Sequence, residues 1–207
     1  MKLVVFSIDQ YSHLGPLFLQ YLNDKWPECP YDQVYIAQNR KIDVPHPVVH
    51  IRGPAMDFGR RMRTFLHQHY TDDTLLLMMI DYIPKSANHA LLVKSAEIAS
   101  RPNIGHVRLR PMPKPSRLWP ADTDFGIVDK HLSYSLSLQP GMWDSQLLYD
   151  LCRDGENAWH TETHGSTRTK NFSQLFLSTM SVAIGHHNAY RKTKFDPIPK
   201  NAPWRIQ

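Results

Sequence analysis

The chain has 207 residues, 42% hydrophobic and 21% charged, with a formal net charge of +5 and a pI near 9.2. Such a length buries a full core and such a balance excludes a disordered chain, while no apolar run reaches the roughly 18 residues that span a bilayer. The basic excess favours an anionic partner (nucleotide phosphate, nucleic acid or membrane surface) without choosing among them. The apolar stretch before Asp9 is too short for a secretory signal, so a cytoplasmic location is expected. Cys29 and Cys152 are too few for a disulfide framework and lack metal-ligand spacing.

Residues 2–8 form a near-continuous apolar run and predict a first strand. Ser12 is placed to cap a helix whose Leu14, Leu17, Phe18, Tyr21 and Leu22 share one face; Pro16 is tolerated in its first turns and Pro27 ends it. Residues 33–37 predict a second strand, and 48–51 a short peripheral one beside Pro45 and Pro47. A helix over 56–70 follows from the stripe Phe58, Met62, Phe65, Leu66 and His69. Next comes the unbroken run Leu75, Leu76, Leu77, Met78, Met79, Ile80, which reads as a central strand over 74–80 buried on both faces. It ends on Asp81 and Tyr82, and a carboxylate at that lip sits where open α/β sheets bind their ligands.

A third helix starts at Ser86 and passes through Leu91, Leu92 and Ile98, and 104–110 is another strand. The alternation to this point is that of a doubly wound α/β domain. Beyond Pro111 a proline-punctuated loop carries Lys114, Arg117 and Trp119. Residues 125–129 and the strictly alternating 134–138 predict a small antiparallel, half-exposed addition to the sheet. Asp144 caps a helix through Leu148 and Leu151, 154–170 read as loop, 172–185 return to regular structure, and the tail from Arg191 is basic and proline-rich. There are no repeats, so residues 1–207 read as one domain in which the second half decorates the site of the first.

The segment Ser7-Ile8-Asp9-Gln10-Tyr11-Ser12, with the stretch from Tyr21 through Trp26-Pro27-Glu28-Cys29-Pro30 to Tyr31, resembles the opening of small bacterial and phage-type glycosyltransferases of the GT-A fold. The likeness continues in order through Gly59-Arg60-Arg61-Met62, the run from Leu75 to Tyr82, Val107-Arg108-Leu109, and Ser137-Leu138-Gln139-Pro140-Gly141-Met142-Trp143. It extends to Glu156-Asn157-Ala158-Trp159 with Glu162, Gly165-Ser166 and Asn188-Ala189. The resemblance implies a GT-A-type, Rossmann-like α/β fold with a mixed, mainly parallel sheet flanked by helices. It also implies transfer of a sugar from a nucleotide-sugar donor to an acceptor hydroxyl by inverting single displacement. Residues 1–110 would be the nucleotide-sugar half and 111–207 the acceptor side with its basic tail.

By the same resemblance Ser7, Asp9 and Tyr11 border the base or ribose, and Asp81 holds the diphosphate through a divalent metal, Mn2+ or Mg2+. One of Arg60 and Arg61, with Arg61 the candidate, approaches the donor, where a solvated helix face is the plainer reading. The family has two adjacent acids before the tyrosine; here Ile80 stands in the first position. Three outcomes stay open: metal held by Asp81 with His186 or His187, cationic side chains in its place, or lost catalysis. Arg191, Lys192 and Lys194 are candidates to grip the diphosphate, against the plainer reading of a solvated basic tail. The aromatic-plus-acid loop 159–166 offers Glu162 as the base, with His160 as second candidate. Trp143 and Trp159 are candidates to stack on acceptor sugars, or else pack in core or lid.

A glycan or lipid-linked acceptor is expected, with nucleic acid as the alternative that the basic charge suits. The rival functions are a non-catalytic nucleotide or glycan binder and a nucleotidyltransferase. The latter normally wants a glycine-rich basic loop after the first strand, where residues 9–16 offer only Gly15. Of the twelve histidines, the pairs 67/69, 160/164 and 186/187 lie on separate elements without the spacing of a zinc site.

Overall fold

The computed structural model describes residues 1–54, 56–191 and 194–195, except for the side chains of 190, 191, 194 and 195; the expected clamp of Arg191, Lys192 and Lys194 therefore lies outside the described residues and side chains. Its strands are β1 (Lys2–Phe6), β2 (Gln33–Ala37), β3 (Val48–His50), β4 (Thr74–Met79), β5 (Tyr82–Ala87), β6 (Ile104–Arg108), β7 (Arg117–Leu118), β8 (Phe125–Ile127), β9 (Gly141–Asp144), β10 (Leu175–Thr179) and β11 (Ile184–Asn188), with a short terminal pair β12 (Tyr190–Arg191) and β13 (Lys194–Phe195). The helices are α1 (Gly15–Lys25), α2 (Phe58–His69), α3 (His89–Ala99), α4 (Ser145–Leu151) and α5 (Ala158–Arg168). No helix among the described residues is long and apolar enough to cross a membrane.

β1 and β4 read as unbroken apolar runs because helices cover both faces of the sheet. Leu3, Val5, Leu76, Met78 and Ile80 join Phe18 and Leu22 of α1 and Leu92 of α3 in one core. Val4, Phe6, Leu75 and Leu77 alternate to the other face and meet Met62 and Phe65 of α2 and Leu148 of α4. Each such side chain contributes about 1.5–3 kcal/mol on burial. Four helices begin on a side chain that accepts the amide three residues on: Asp57 from Arg60 at 3.0 Å, Asn88 from Leu91 at 3.1 Å, Asp144 from Leu147 at 2.6 Å and Asn157 from His160 at 2.7 Å.

The main sheet has nine strands in the order β3-β2-β1-β4-β9-β6-β10-β8-β7. Tracing the pairings, β9 and β8 alone run against the other strands of this sheet among the described residues, so the fold is mixed α/β with a mainly parallel sheet. A separate two-stranded antiparallel sheet, β5 with β11, stands beside it.

Several elements differ from expectation. β9 was not anticipated; it lies in the middle of the sheet between β4 and β6, where Trp143 stacks on His106 at 3.6 Å in full burial. β5 occupies residues that the third helix was expected to enter at Ser86; that helix instead starts after Asn88. Residues 134–138 form no strand despite their alternation. Two of their amides are taken by α5 side chains, Leu136 N by Ser166 Oγ at 3.0 Å and Leu138 N by Glu162 Oε1 at 2.7 Å, in place of a neighbouring strand, while Ser135 N donates to the Leu132 carbonyl at 3.2 Å. Residues 158–168, expected as loop, form α5.

Candidate functional site

β4 ends at Met79, and Ile80 and Asp81 turn the chain into β5. Strand alternation decides where these side chains go. Ile80 donates its amide to the Phe6 carbonyl at 2.9 Å and buries its side chain completely in the α1/α3 core. Met79 and Asp81 line a cleft of about 280 Å3 together with Ser7, Tyr11, Tyr82 and Trp159. The position of the missing acid is thus a core position, and the side chain that shares the cleft wall with Asp81 is a thioether. Burial pushes the Asp81 carboxyl up to about 6. Its carbonyl accepts the Ala189 amide at 2.8 Å, which ties the turn to the end of β11.

The second wall of the cleft is the start of α5, where Asn157, Ala158 and Trp159 face the opening. One turn further on, Glu162 is partly buried, its Oε1 accepting from Leu138 N at 2.7 Å and Ser137 Oγ at 3.3 Å. Burial raises its pKa, opposed by those two hydrogen bonds and by the Arg108 guanidinium. The Tyr82 hydroxyl is raised by burial and then by Asp81 and Glu162, so it lies within electrostatic reach of both carboxylates. His160 is two residues from Glu162, about 200° around the helix, and its ring stacks on that of His164 at 5.3 Å.

The remaining expected residues divide. Ser7 and Tyr11 line the cleft. Asp9 instead accepts from Asn39 N at 2.8 Å, Asn39 Nδ2 at 2.9 Å and Arg40 N at 2.7 Å, stapling the loop after β1 to the loop after β2. Burial acts to raise its carboxyl, but these hydrogen bonds win and the net shift is downward. Arg61 is fully buried beneath the cleft, with Nε donating to Ile51 O at 3.0 Å, Nη2 to Ser7 O at 2.8 Å, and its guanidinium 4.6 Å from the Phe6 ring centre. It therefore positions the Ser7 backbone and does not reach the opening. Trp143 is a core residue with no ring face free for a sugar, whereas Trp159 is 58% exposed at the cleft lip.

His187 lies opposite Ile83 in the β5–β11 ladder and is not part of the cleft lining. His186 stacks on Tyr82 at 4.4 Å, and burial pushes it down to about 4, so it is neutral near pH 7. Among the described residues no group of three His, Cys, Asp or Glu side chains could hold a metal alone. Asp81 offers one hard oxygen ligand; Met79 offers none.

Met79, Phe58, Asn157 and Arg108 are given no site role by the sequence, although the first three line the cleft and Arg108 acts on Glu162. Asn157 carried a legible signal, a capping residue ahead of what proved to be a helix. Arg108 did not, because its buried contact with the Ser135 carbonyl, 2.9 Å from Nη2, joins segments 27 residues apart.

No family model and no curated protein sequence matches the chain. Solved structures do resemble it in shape. Staphylococcus aureus TarS (1–349) superposes with a TM-score of 0.58 at 12% identity over 91% of this chain and 61% of that one, and is also solved in complex with UDP-GlcNAc. UDP-glucose pyrophosphorylase complexed with UDP-glucose gives 0.52 at 9% identity, covering 90% of this chain and 92% of that one. A cytidylyltransferase from Leptospira borgpetersenii serovar Hardjo-bovis gives 0.51 at 11% identity, covering 87% and 76%. The chain spans about three fifths of the TarS fragment. It shares the mixed α/β fold of these three proteins.

Proposed function

We propose that the protein is a glycosyltransferase that moves a sugar from a nucleotide-sugar donor to an acceptor hydroxyl by single displacement. The observation that carries this reading is a pair of partly buried carboxylates that both act on Tyr82: Asp81 in the cleft wall at the end of the central strand, and Glu162 on α5, one turn beyond the cleft-lining Asn157, Ala158 and Trp159. Burial raises both carboxyls above their ordinary values, Asp81 to about 6, and a carboxyl so raised suits the exchange of a proton. The UDP-GlcNAc seen in TarS supports a nucleotide sugar as the occupant.

In this reading Ser7 and Tyr11 border the nucleotide, and Arg61 keeps the Ser7 backbone in place from below. Trp159 covers the sugar or its acceptor, and Glu162 takes the proton from the attacking hydroxyl. The N-terminus of α5 opens on the cleft, and its free amides favour the negative charge of a diphosphate. Mn2+ or Mg2+, arriving with the donor, would offset charge on the leaving nucleoside diphosphate. Asp81 is the residue to hold it, and with a single carboxylate the diphosphate oxygens must supply much of the shell.

Nucleotidyl transfer finds less support. Residues Asp9–Leu14 form a 3-10 helix, and a Cβ on Gly15 would lie 2.4 Å from the Ile42 side chain, so this glycine serves packing against residue 42. Product analysis with a panel of nucleotide sugars tests the proposal. Release of nucleoside diphosphate with a glycosylated acceptor supports sugar transfer, and conversion of the nucleotide sugar with added pyrophosphate into nucleoside triphosphate and sugar 1-phosphate overturns it. Glu162→Gln keeps an acceptor for the Leu138 amide and should lower turnover by about a hundredfold or more while donor binding persists. Near-wild-type turnover of this variant, with loss on His160→Ala, would move the base to the histidine.

A further inference from the structure

From Trp159 at the cleft lip a stripe of side chains continues along α5 and the turn after it. Trp159, Thr163, Thr167 and Lys170 recur at helical spacing, running from the cleft lip outward for about 16 Å. At the near end Trp159 Nε1 donates to the Tyr134 hydroxyl at 3.4 Å, and both rings are exposed, Trp159 by 58% and Tyr134 by 40%. Tyr134 has a φ of 58°, a left-handed conformation that is costly for a residue with a side chain. Arg108 holds it there, its guanidinium donating to the carbonyls of Tyr134 and Ser135 from below. At the far end a second cavity of about 270 Å3 is lined by Tyr134, Ser133, Thr163, Thr167, His131 and Lys170, and no carboxylate lines it.

We propose that this stripe and cavity form an extended acceptor track for an acidic, chain-like carbohydrate. The proposal rests on the glycosyl-transfer reading and names its acceptor class. Exposed aromatic faces suit the apolar faces of sugar rings, the hydroxyls of Thr167 and Ser133 suit their OH groups, Thr163 Oγ1 accepts from them while it donates to the Trp159 carbonyl at 3.0 Å, and Lys170 suits a carboxylate or phosphate on the chain. The left-handed turn at Tyr134, held by Arg108, presents its hydroxyl to Trp159, so that a chain bound at the far cavity runs along α5 to the cleft, where Glu162 lies one turn from the wall.

Isothermal titration of the full chain with a galacturonate hexamer, a neutral maltohexaose and a single-stranded DNA 12-mer tests this. The acidic hexamer should bind more tightly than the neutral one. Trp159→Ala should weaken it about tenfold, and Lys170→Glu about fivefold or more. Nucleotide-sugar binding by Lys170→Glu, followed by thermal shift, should match wild type. Absent hexamer binding, or affinity unchanged in both variants, overturns the track even if nucleotide sugars bind. Salt-sensitive binding of the DNA without the hexamer overturns it in favour of a nucleic-acid surface. Hexamer binding with no response to any nucleotide sugar leaves the track standing and removes the glycosyl-transfer reading instead.

Discussion

Asp81 is held in a state that costs the folded protein something. Its carboxyl is raised to about 6 by burial, so the protonated form is favoured in the fold. The resulting stabilisation is complete below the unfolded pKa near 4 and is lost as pH rises through about 6, a change on the order of 2–3 kcal/mol. Asp81→Asn should therefore be more stable than wild type at pH 7 and no more stable at pH 3.5, while losing metal-dependent donor binding; urea denaturation at the two pH values measures the difference. Its neighbours separate two ways of adding an acid. Ile80→Asp buries a carboxylate in the α1/α3 core and should cost about 3 kcal/mol or more without creating a metal ligand. Met79→Asp places the second carboxylate in the cleft and should tighten Mn2+ binding in the absence of donor by about tenfold, readable by calorimetry.

The elements that carry the cleft are braced where α2 meets the segment leading into α5. A Cβ on Gly59 would lie 1.9 Å from the Arg153 carbonyl oxygen, and the Gly59 amide donates to Glu156 O at 2.9 Å. Asp57 also accepts the Gly155 amide at 3.0 Å, while Arg168 grips Glu156 with both Nη atoms at 2.8 and 2.6 Å. Gly59→Ala should force these backbones apart, destabilise the protein by about 1–3 kcal/mol, and weaken donor binding through the displaced Asn157–Trp159 wall, as chemical denaturation and ligand titration would show. Sequence made β1, α1, α2 and β4 legible because each buries a continuous or periodic apolar face. It concealed β9, four residues whose central place depends on partners over 30 residues away, and α5, whose threonines, histidines and Gly165 dilute its stripe. The alternation of 134–138 misled because side chains of α5 can satisfy backbone amides as a strand would. Asp81 was legible from the run before it; the core destination of Ile80 followed only from knowing which face of β4 each residue takes.

Across the molecule, the first and second halves of the chain interleave in one sheet: β9 lies between β4 and β6, and β10 extends from β6. The cleft accordingly draws Ser7, Asp81 and Trp159 from distant points of the chain. The net charge of +5 suits anionic ligands at the cleft and along α5 but assigns neither. The most direct test is a thermal-shift titration of wild type and Asp81→Asn with nucleoside diphosphates and nucleotide sugars, in Mn2+ and in chelator, at pH 7. At least one nucleotide sugar should stabilise wild type by about 2.7 kcal/mol at a hundred times its Kd. That gain should fall in chelator and in Asp81→Asn. Failure of every nucleotide sugar to shift the transition, or a shift undiminished in Asp81→Asn, would contradict a donor site built on this carboxylate.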